Sequence, residues 1–153
     1  MSVSLATLAD LDDLVPLFAG YLDFYEVPRP QAEIRDFLGQ RLERGQSVIY
    51  LARSSDGVGL GFVQLYPLFA SLELQASWLL SDLYVIPAAR RDGHGEALMN
   101  AARDHGLASG ACGLQLETAK TNHSAQALYE RLGYQRDERY YTYWLDLAGK
   151  PRS

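Results

Sequence analysis

The sequence contains very little cysteine and has no long apolar run. Cys112 is the only cysteine, so an internal disulfide is impossible and a metal site of the usual cysteine spacing is excluded. No stretch approaches the ~18 consecutive apolar residues that a membrane-spanning helix needs, and the first residues lack a basic start followed by an apolar segment. We therefore expect a cytoplasmic protein without a membrane segment.

Clusters of positive charge are also lacking. The 14 basic residues are outnumbered by 19 acidic residues, and no block of lysine or arginine resembles a nucleic-acid-binding surface. His94, His105 and His123 share no spacing typical of metal ligands. We expect neither nucleic acid nor a metal as a partner, whereas the acidic balance permits a cationic substrate.

The chain has the length of one domain, and 48% of its residues are apolar. We predict a single domain over residues 1–148 and a loose tail over residues 149–153. The hydrophobic periodicity predicts four helices among the strands, in the order β-α-α-β-β-β-α-β-α-β-β. Cys112 opens an apolar strand and is expected to be a small core residue. The predicted strands cover residues 2–8, 47–53, 59–68, 78–86 and 112–118, followed by an aromatic hairpin over residues 134–147.

The segment from residue 78 to residue 118 reads as strand, helix, strand. Such a unit crosses over with a right hand and leaves its two strands parallel, whereas the flanking hairpins are antiparallel. We therefore predict an α/β fold with a mixed, twisted central β-sheet of about seven strands, flanked by about four helices.

A basic, glycine-containing turn separates the apolar strand before it from an amphipathic helix. Gly93 and Gly95 let the main chain turn tightly, and the following helix offers unpaired N–H groups to a phosphate. Arg90 and Arg91 add positive charge. The alternative is an ordinary strand-to-helix loop with solvated arginines. The spacing matches neither a Walker A motif nor a Gly-x-Gly-x-x-Gly fingerprint.

Two segments of the chain resemble the motifs of the GNAT superfamily of N-acetyltransferases. The first family motif, Arg/Gln-x-x-Gly-x-Gly/Ala, stands here as Arg90, Gly93 and Gly95. The second motif follows about thirty residues later, at the spacing of the family. Its matching residues are Asn122, Ala125, Leu128, Tyr129, Glu130, Leu132, Gly133 and Tyr134.

The resemblance implies a GNAT-type fold in which a splayed strand pair forms a cleft for acetyl-CoA. A bulge near residues 82–84 would open this cleft, and the backbones of Leu83 and Val85 would pair with the pantetheine arm. The Val85 N–H would also bind the thioester oxygen. Asn122, Ala125 and Tyr129 would contact the cofactor from the second motif. The diphosphate would lie on Arg90, Arg91, Asp92, Gly93, His94, Gly95 and Glu96.

Two residues are candidates for proton transfer. Tyr129 is the expected general acid, because a phenol can protonate the thiolate that leaves. Its alternative is a half-buried core residue. Asp82 is the candidate general base, with an Asp that hydrogen-bonds the bulge backbone as the alternative. Asn122 is a helix cap that by resemblance also touches the cofactor.

The acceptor end carries less information. The segment Tyr21–Pro28 resembles the acceptor loop of a microbial branch akin to fungal histone/polyamine and D-amino-acid acetyltransferases. Tyr25, Glu26, Glu73 and Asp82 are the candidate substrate-binding residues, and they suit a small cationic amine. Glu26 and Glu73 could equally be solvated surface acids.

Taken together, the residues favour an acetyl-CoA-dependent N-acetyltransferase that acts on a small primary amine by direct attack in a ternary complex. One alternative keeps the chemistry but makes the acceptor a protein or peptide amine. Another is a non-catalytic acyl-CoA-binding module, which would not need Tyr129. Dimers are common in the resembled family, so a homodimer is a further expectation.

Overall fold

The computed structural model describes residues 1–149, which form nine regular elements besides short 3-10 turns. The strands are β1 (Ser2–Leu5), β2 (Val48–Arg53), β3 (Gly59–Ala70), β4 (Gln75–Val85) and β5 (Leu114–Leu116). The helices are α1 (Leu11–Phe24), α2 (Gln31–Glu43), α3 (His94–Ala108) and α4 (His123–Arg131). Apart from Gly149, the predicted tail lies outside the described residues.

The chain divides into two compact units, one over residues 1–117 and one that begins at Thr118. The first unit contains the whole sheet together with α1, α2 and α3, and the second contains α4. The single domain over residues 1–148 therefore stays a prediction. Within the described range, no helix is long and apolar enough to cross a membrane.

The sheet has the order β1-β2-β3-β4-β5. The first four strands pair antiparallel, whereas β4 and β5 run parallel on either side of the α3 crossover. This arrangement confirms the predicted mixed sheet. Its strand number does not agree, because residues 1–149 contain five strands and not about seven.

The two missing strands are those of the aromatic hairpin predicted over residues 134–147. No part of that segment forms a strand, and the side chains of Tyr141 and Leu147 are 91% and 89% exposed. An alternating aromatic pattern becomes a strand only where a neighbouring backbone completes its hydrogen bonds. In the described residues this segment forms no such pairing, so the hairpin prediction was wrong.

Cys112 also departs from expectation. The last strand is short and begins at Leu114, so Cys112 precedes the sheet and its side chain is exposed. Its backbone N–H donates to the carbonyl of Ala76. Cys112 is therefore not the core residue that the apolar sequence context suggested.

The sheet carries helices on both faces because its strands alternate in what they bury. Ile49 and Leu51 of β2 pack in one core cluster with residues of α1 and α2. Tyr50, between them, points to the other face, where its hydroxyl lies 2.9 Å from Nδ1 of His105 on α3. The face covered by α1 and α2 is the one that carries Asp82, the candidate general base, because Tyr21 of α1 hydrogen-bonds to it.

His105 makes stability depend on pH. Burial lowers the pKa of its imidazole from the ordinary 6.5, so the unfolded chain binds a proton more readily than the folded protein. Stability should therefore be fully present above about pH 6.5 and fall as the pH drops toward the folded-state pKa. We expect the difference in unfolding free energy between the parent protein and His105→Gln, measured in urea, to shrink from pH 7.5 to pH 5. A constant difference would contradict this linkage.

Gly61 allows β3 to approach β4 closely. A Cβ atom at position 61 would collide with the backbone oxygen of Tyr84 and would lie 3.1 Å from Cα of Val85. Because backbone atoms yield little, Gly61→Ala should lower the free energy of unfolding by about 1–3 kcal/mol. Gly113→Ala is the matched control, since a Cβ there meets nothing within 4 Å. Equal urea midpoints for the two variants would contradict the expected clash.

Candidate active site

One edge of β4 is left without a neighbouring strand. β5 pairs with β4 only from Trp78 to Leu80. Immediately beyond, the register with β3 shifts, because Leu65 faces Leu80 whereas Gln64 faces Asp82, which leaves Ser81 as the extra residue of a bulge. The bulge therefore lies one residue before the predicted 82–84 range. From Ser81 to Val85, no strand in residues 1–149 occupies the side of β4 away from β3.

The backbone groups on this open side can be assigned from strand alternation. The N–H of Ile86 donates to the carbonyl of Leu60, so Ile86 faces β3. Successive residues of a strand turn their N–H and C=O groups to opposite sides. Leu83 and Val85 therefore present both groups to the open side. A linear chain of amide groups could pair there as an added strand.

The turn after β4 has the backbone of an anion-binding loop. Arg91 and Gly93 adopt positive φ angles of 69° and 84°, and α3 begins directly afterwards at His94. The N–H groups of a first helical turn have no acceptor inside the helix and lie at its positive end. His94 is 9% exposed, and its Nδ1 has no hydrogen-bond partner within residues 1–149. A diphosphate on the stretch from Arg90 to Glu96 stays a prediction.

The side chain of Arg90, which was predicted to contact a diphosphate, contacts the backbone of β4 and two aromatic rings in the structure. Its Nε donates to the carbonyl of Val85 at 3.0 Å, and its guanidinium lies 5.7 Å from the ring centres of both Phe24 and Tyr84. The side chain thus occupies one of the acceptors on the open edge of β4. A ligand that pairs with Val85 must displace it.

Asp82 follows the bulge and is only 8% exposed. Gln64 Nε2 donates to its Oδ2 at 2.6 Å, and Ser81 Oγ donates to its Oδ1 at 3.3 Å. The phenol of Tyr21, from α1, donates a further hydrogen bond to the carboxylate. Burial raises the pKa of Asp82, and these three donors oppose that rise. Within residues 1–149, no cationic side chain forms an ion pair with this carboxylate.

Aromatic residues surround Asp82. Burial and, to a smaller extent, the charge of Asp82 raise the pKa of Tyr21. The same two causes raise the pKa of Tyr66 to about 12, and the charge of Arg41 partly opposes this rise. Both phenols therefore stay neutral at physiological pH. The ring of Tyr25 lies 5.1 Å from that of Tyr21. A buried carboxylate among phenol rings suits a cation.

The other predicted acceptor residues lie at different places. Tyr25 follows the end of α1, next to Glu26, which is exposed and has a positive φ of 60°. Glu73 lies in the turn at the tip of the β3–β4 hairpin and is also exposed. At about 3.3 Å per residue, the stretch of β4 from Gln75 to Asp82 spans about 20 Å, so Glu73 is remote from Asp82. The structure brings Tyr25 close to the Asp82 cluster through Tyr21, and it does not bring Glu73 there.

In the second unit, the residues of the second motif lie directly before, on and directly after α4. Asn122 caps this helix, because its side-chain oxygen accepts the backbone N–H of Ala125 at 3.2 Å. Tyr129 is half-buried on α4, and its ring centre lies 6.1 Å from that of Tyr134. The backbone N–H of Tyr134 donates to the carbonyl of Tyr129. The predicted cap is thus present, and a cofactor contact of these residues stays a prediction.

Residues 14–134, which include both motifs, match the Acetyltransferase (GNAT) family. The chain belongs to the GNAT acetyltransferases. This GNAT acetyltransferase is 37% identical over 150 residues to the uncharacterized N-acetyltransferase YhfO of Bacillus subtilis (strain 168), covering 98% of this chain and 100% of the relative. It is 31% identical over 106 residues to an aminoglycoside N(6')-acetyltransferase type 1 of Klebsiella aerogenes, covering 68% of this chain and 69% of the relative.

A solved structure agrees with these sequence relatives. The crystal structure of a probable acetyltransferase superposes on this GNAT acetyltransferase with a TM-score of 0.92 at 38% identity, covering 98% of this chain and all of the other. The family assignment makes the protein an acetyltransferase enzyme, and members of this family generally use acetyl-CoA as cosubstrate.

Sequence reasoning missed Gln64 and Tyr21 as site residues of this acetyltransferase. Gln64 is fully buried in the middle of the apolar stretch from Gly61 to Leu65. A lone amide in an otherwise apolar, buried strand was the available signal, because such a group needs a polar partner. Tyr21 opens the segment that resembles an acceptor loop, but it was not singled out, since its spacing on α1 is that of an ordinary core residue.

The acetyltransferase carries no cluster of histidine, cysteine, aspartate or glutamate within residues 1–149 that could hold a metal ion. Asp82, the buried acid of the site, has an amide and two hydroxyl groups as neighbours, and these donate hydrogen bonds to it. Asp82 and its three donors can take part in acid–base and hydrogen-bond chemistry.

Proposed function

We propose that the chain is an acetyl-CoA-dependent N-acetyltransferase that acetylates a primary amine of a small cationic molecule, such as a polyamine, an amino acid or a related compound. The observation that carries this proposal is the buried Asp82 carboxylate, which has aromatic neighbours and, within residues 1–149, no cationic side chain to balance it. Burying an unbalanced charge is unfavourable. An ammonium group of the substrate would supply the missing positive charge.

Acetyl-CoA would supply the activated acetyl group as a thioester. The open edge of β4 suits its pantetheine arm, because Leu83 and Val85 present N–H and C=O groups there. The turn from Arg90 to Glu96 suits its diphosphate through backbone N–H groups and the positive end of α3. Arg91 adds charge, and Arg90 can do so after it leaves the Val85 carbonyl.

The acid–base steps fall to two side chains and one backbone group. Asp82 accepts a proton from the substrate ammonium, directly or through one water, which frees the lone pair on the amine nitrogen. The N–H of Val85 donates to the carbonyl oxygen as negative charge develops on it. Tyr129, assigned by the family resemblance, donates its phenol proton to the departing thiolate sulfur. The amine attacks directly, so no acyl-enzyme forms.

A small acceptor is favoured over a protein amine because Asp82 is 8% exposed and lies beneath residues of α1. The relative from Klebsiella aerogenes, named for its action on aminoglycosides, supports a small cationic acceptor. A homodimer and a cytoplasmic location remain predictions from the sequence and the family resemblance.

The test is an acceptor panel with the full chain. Release of free coenzyme A from acetyl-CoA is measured with polyamines, aminoglycosides, free amino acids and lysine peptides, each against a sample without an amine. We expect turnover with small amines that exceeds turnover with lysine peptides by at least about tenfold in kcat/KM. Turnover with lysine peptides and with none of the small amines would contradict a small acceptor and indicate a protein acceptor. Tight acetyl-CoA binding without turnover on any amine would favour a binding module.

A further inference from the structure

Gln64 is a polar residue at a buried position where an apolar side chain would leave no hydrogen-bonding group of its own unsatisfied. It is 0% exposed, and its neighbours in β3 are buried as well. Its Nε2 donates to Asp82, but its Oε1 is buried and has no hydrogen-bond partner within residues 1–149. A buried amide oxygen without a partner destabilises the fold. A purely structural role does not account for that residue at this position.

The bulge at Ser81 places Gln64 and Asp82 directly opposite each other on neighbouring strands. The 2.6 Å contact between Nε2 and Oδ2 is short, as is typical of a hydrogen bond to an ionised carboxylate. Ser81 Oγ donates to Oδ1 at a longer 3.3 Å, and the phenol of Tyr21 donates a further hydrogen bond to the carboxylate. The shortest printed contact of the carboxylate is therefore the one by which Gln64 ties Oδ2 into the sheet.

Gln64 is an important hydrogen-bond donor to Asp82, because the titratable groups that face this carboxylate within residues 1–149 are phenols. Tyr21 faces the carboxylate from α1, and Tyr66 faces it from β3. Arg41, from α2, acts on Tyr66. Neither phenol carries positive charge. The ionised form of Asp82 therefore depends on neutral hydrogen-bond donors.

We propose that Gln64 is a positioning residue, which ties Oδ2 of Asp82 into the sheet, keeps the carboxylate ionised and fixes its orientation for accepting the proton of the substrate amine. This inference rests on the proposed function, in which Asp82 is the general base. Gln64 itself does not contact the reacting atoms. It acts through Asp82, and its effect is therefore on the ionisation and orientation of that carboxylate.

The first test is Gln64→Met, which keeps the length of the side chain and removes its amide. Loss of a donor to the ionised form should raise the pKa of Asp82. We expect the acid limb of the pH profile of kcat/KM for the amine to move up by about one pH unit. At pH values below the acid limb, the parent should then be about tenfold more active than the variant. At pH values above the limb, the two activities should become equal. A merely structural defect would lower activity at every pH.

Gln64→Glu is the second variant, in case the methionine disturbs packing. Two facing carboxyl groups would share one proton, so the acid limb should move further up than in Gln64→Met. Gln75→Met is the matched control, because Gln75 is exposed on β4, and its profile should coincide with that of the parent. An acid limb that stays in place in both Gln64 variants would overturn the proposal.

A carbon NMR titration of the Asp82 carboxyl group in the full chain separates this inference from the proposed function. We expect its midpoint to rise in Gln64→Met even without any substrate. An unchanged midpoint would overturn the role of Gln64, whatever the enzyme acetylates. A raised midpoint with an unmoved kinetic limb would overturn Asp82 as the base, and with it the positioning role of Gln64.

Discussion

Asp82→Asn is expected to lower kcat/KM for the amine by about 10²–10⁴-fold at neutral pH. The amide that replaces the carboxylate cannot accept a proton, so the ammonium group of the substrate is no longer deprotonated in place. Asparagine has nearly the same shape and still offers an oxygen to Gln64 Nε2. KM for acetyl-CoA should therefore stay within about twofold of the parent value.

Asp36→Asn is the matched control for this substitution. Asp36 is an exposed acid on α2, and its replacement should change kcat/KM by less than about twofold. Steady-state kinetics of the three proteins, from pH 6 to pH 9, decide the matter. Activity of Asp82→Asn close to that of the parent across this range would leave Asp82 as a bulge residue with a structural role.

Asp82→Asn should lower activity, but it should raise the stability of the fold relative to the parent as the pH rises. Burial raises the pKa of Asp82 above the ordinary 3.8, so the folded protein holds this proton more tightly than the unfolded chain does. Stability therefore falls as pH rises from about 3.8 through the folded-state pKa. Asp82→Asn removes this fall. Urea denaturation should show the variant gaining stability relative to the parent as the pH rises through that window.

Tyr129→Phe is expected to lower kcat by at least about tenfold, which corresponds to a barrier increase of ~1.4 kcal/mol. The change removes only the hydroxyl group, so the aromatic contact with Tyr134 is kept. If the phenol protonates the leaving thiolate, its loss affects the transition state more than the binding of either substrate. KM values should therefore change little.

Tyr134→Phe provides the control, because it removes a hydroxyl group from the ring beside Tyr129. Its kcat should stay within about twofold of the parent value. If Tyr129→Phe turned over as fast as the parent, the protein would still be an enzyme, but Tyr129 would not be its proton donor. The half-buried ring would then be a packing residue of α4, as the alternative interpretation of the sequence holds.

Much of the first unit could be predicted because its signals are local. The apolar run that became β4, the turn around Gly93 and the helix after it each occupy a continuous stretch of sequence. The helix α3 returns the chain to the end of the sheet where β4 began, so β5 runs parallel to β4. The open edge of β4 was likewise foreseen through the resemblance to known acetyltransferases.

The parts that were mispredicted depend on partners that a sequence does not name. Residues 134–147 have the aromatic alternation of a hairpin, but they pair with no strand within residues 1–149. The contact between Gln64 and Asp82 depends on strand register, and the bulge at Ser81 shifts that register by one residue. Alternation alone could not have placed the two side chains opposite each other.

The unpaired stretch of β4 has a consequence for the association of one copy with another. An open strand edge is a template on which a further strand can add, and sheets grow into aggregates in this way. Arg90 covers the Val85 carbonyl with a positively charged group. Charge at an edge and an occupied acceptor both oppose the addition of a strand. The positive charge of Arg90 at the open edge of β4 is therefore expected to oppose edge-to-edge aggregation.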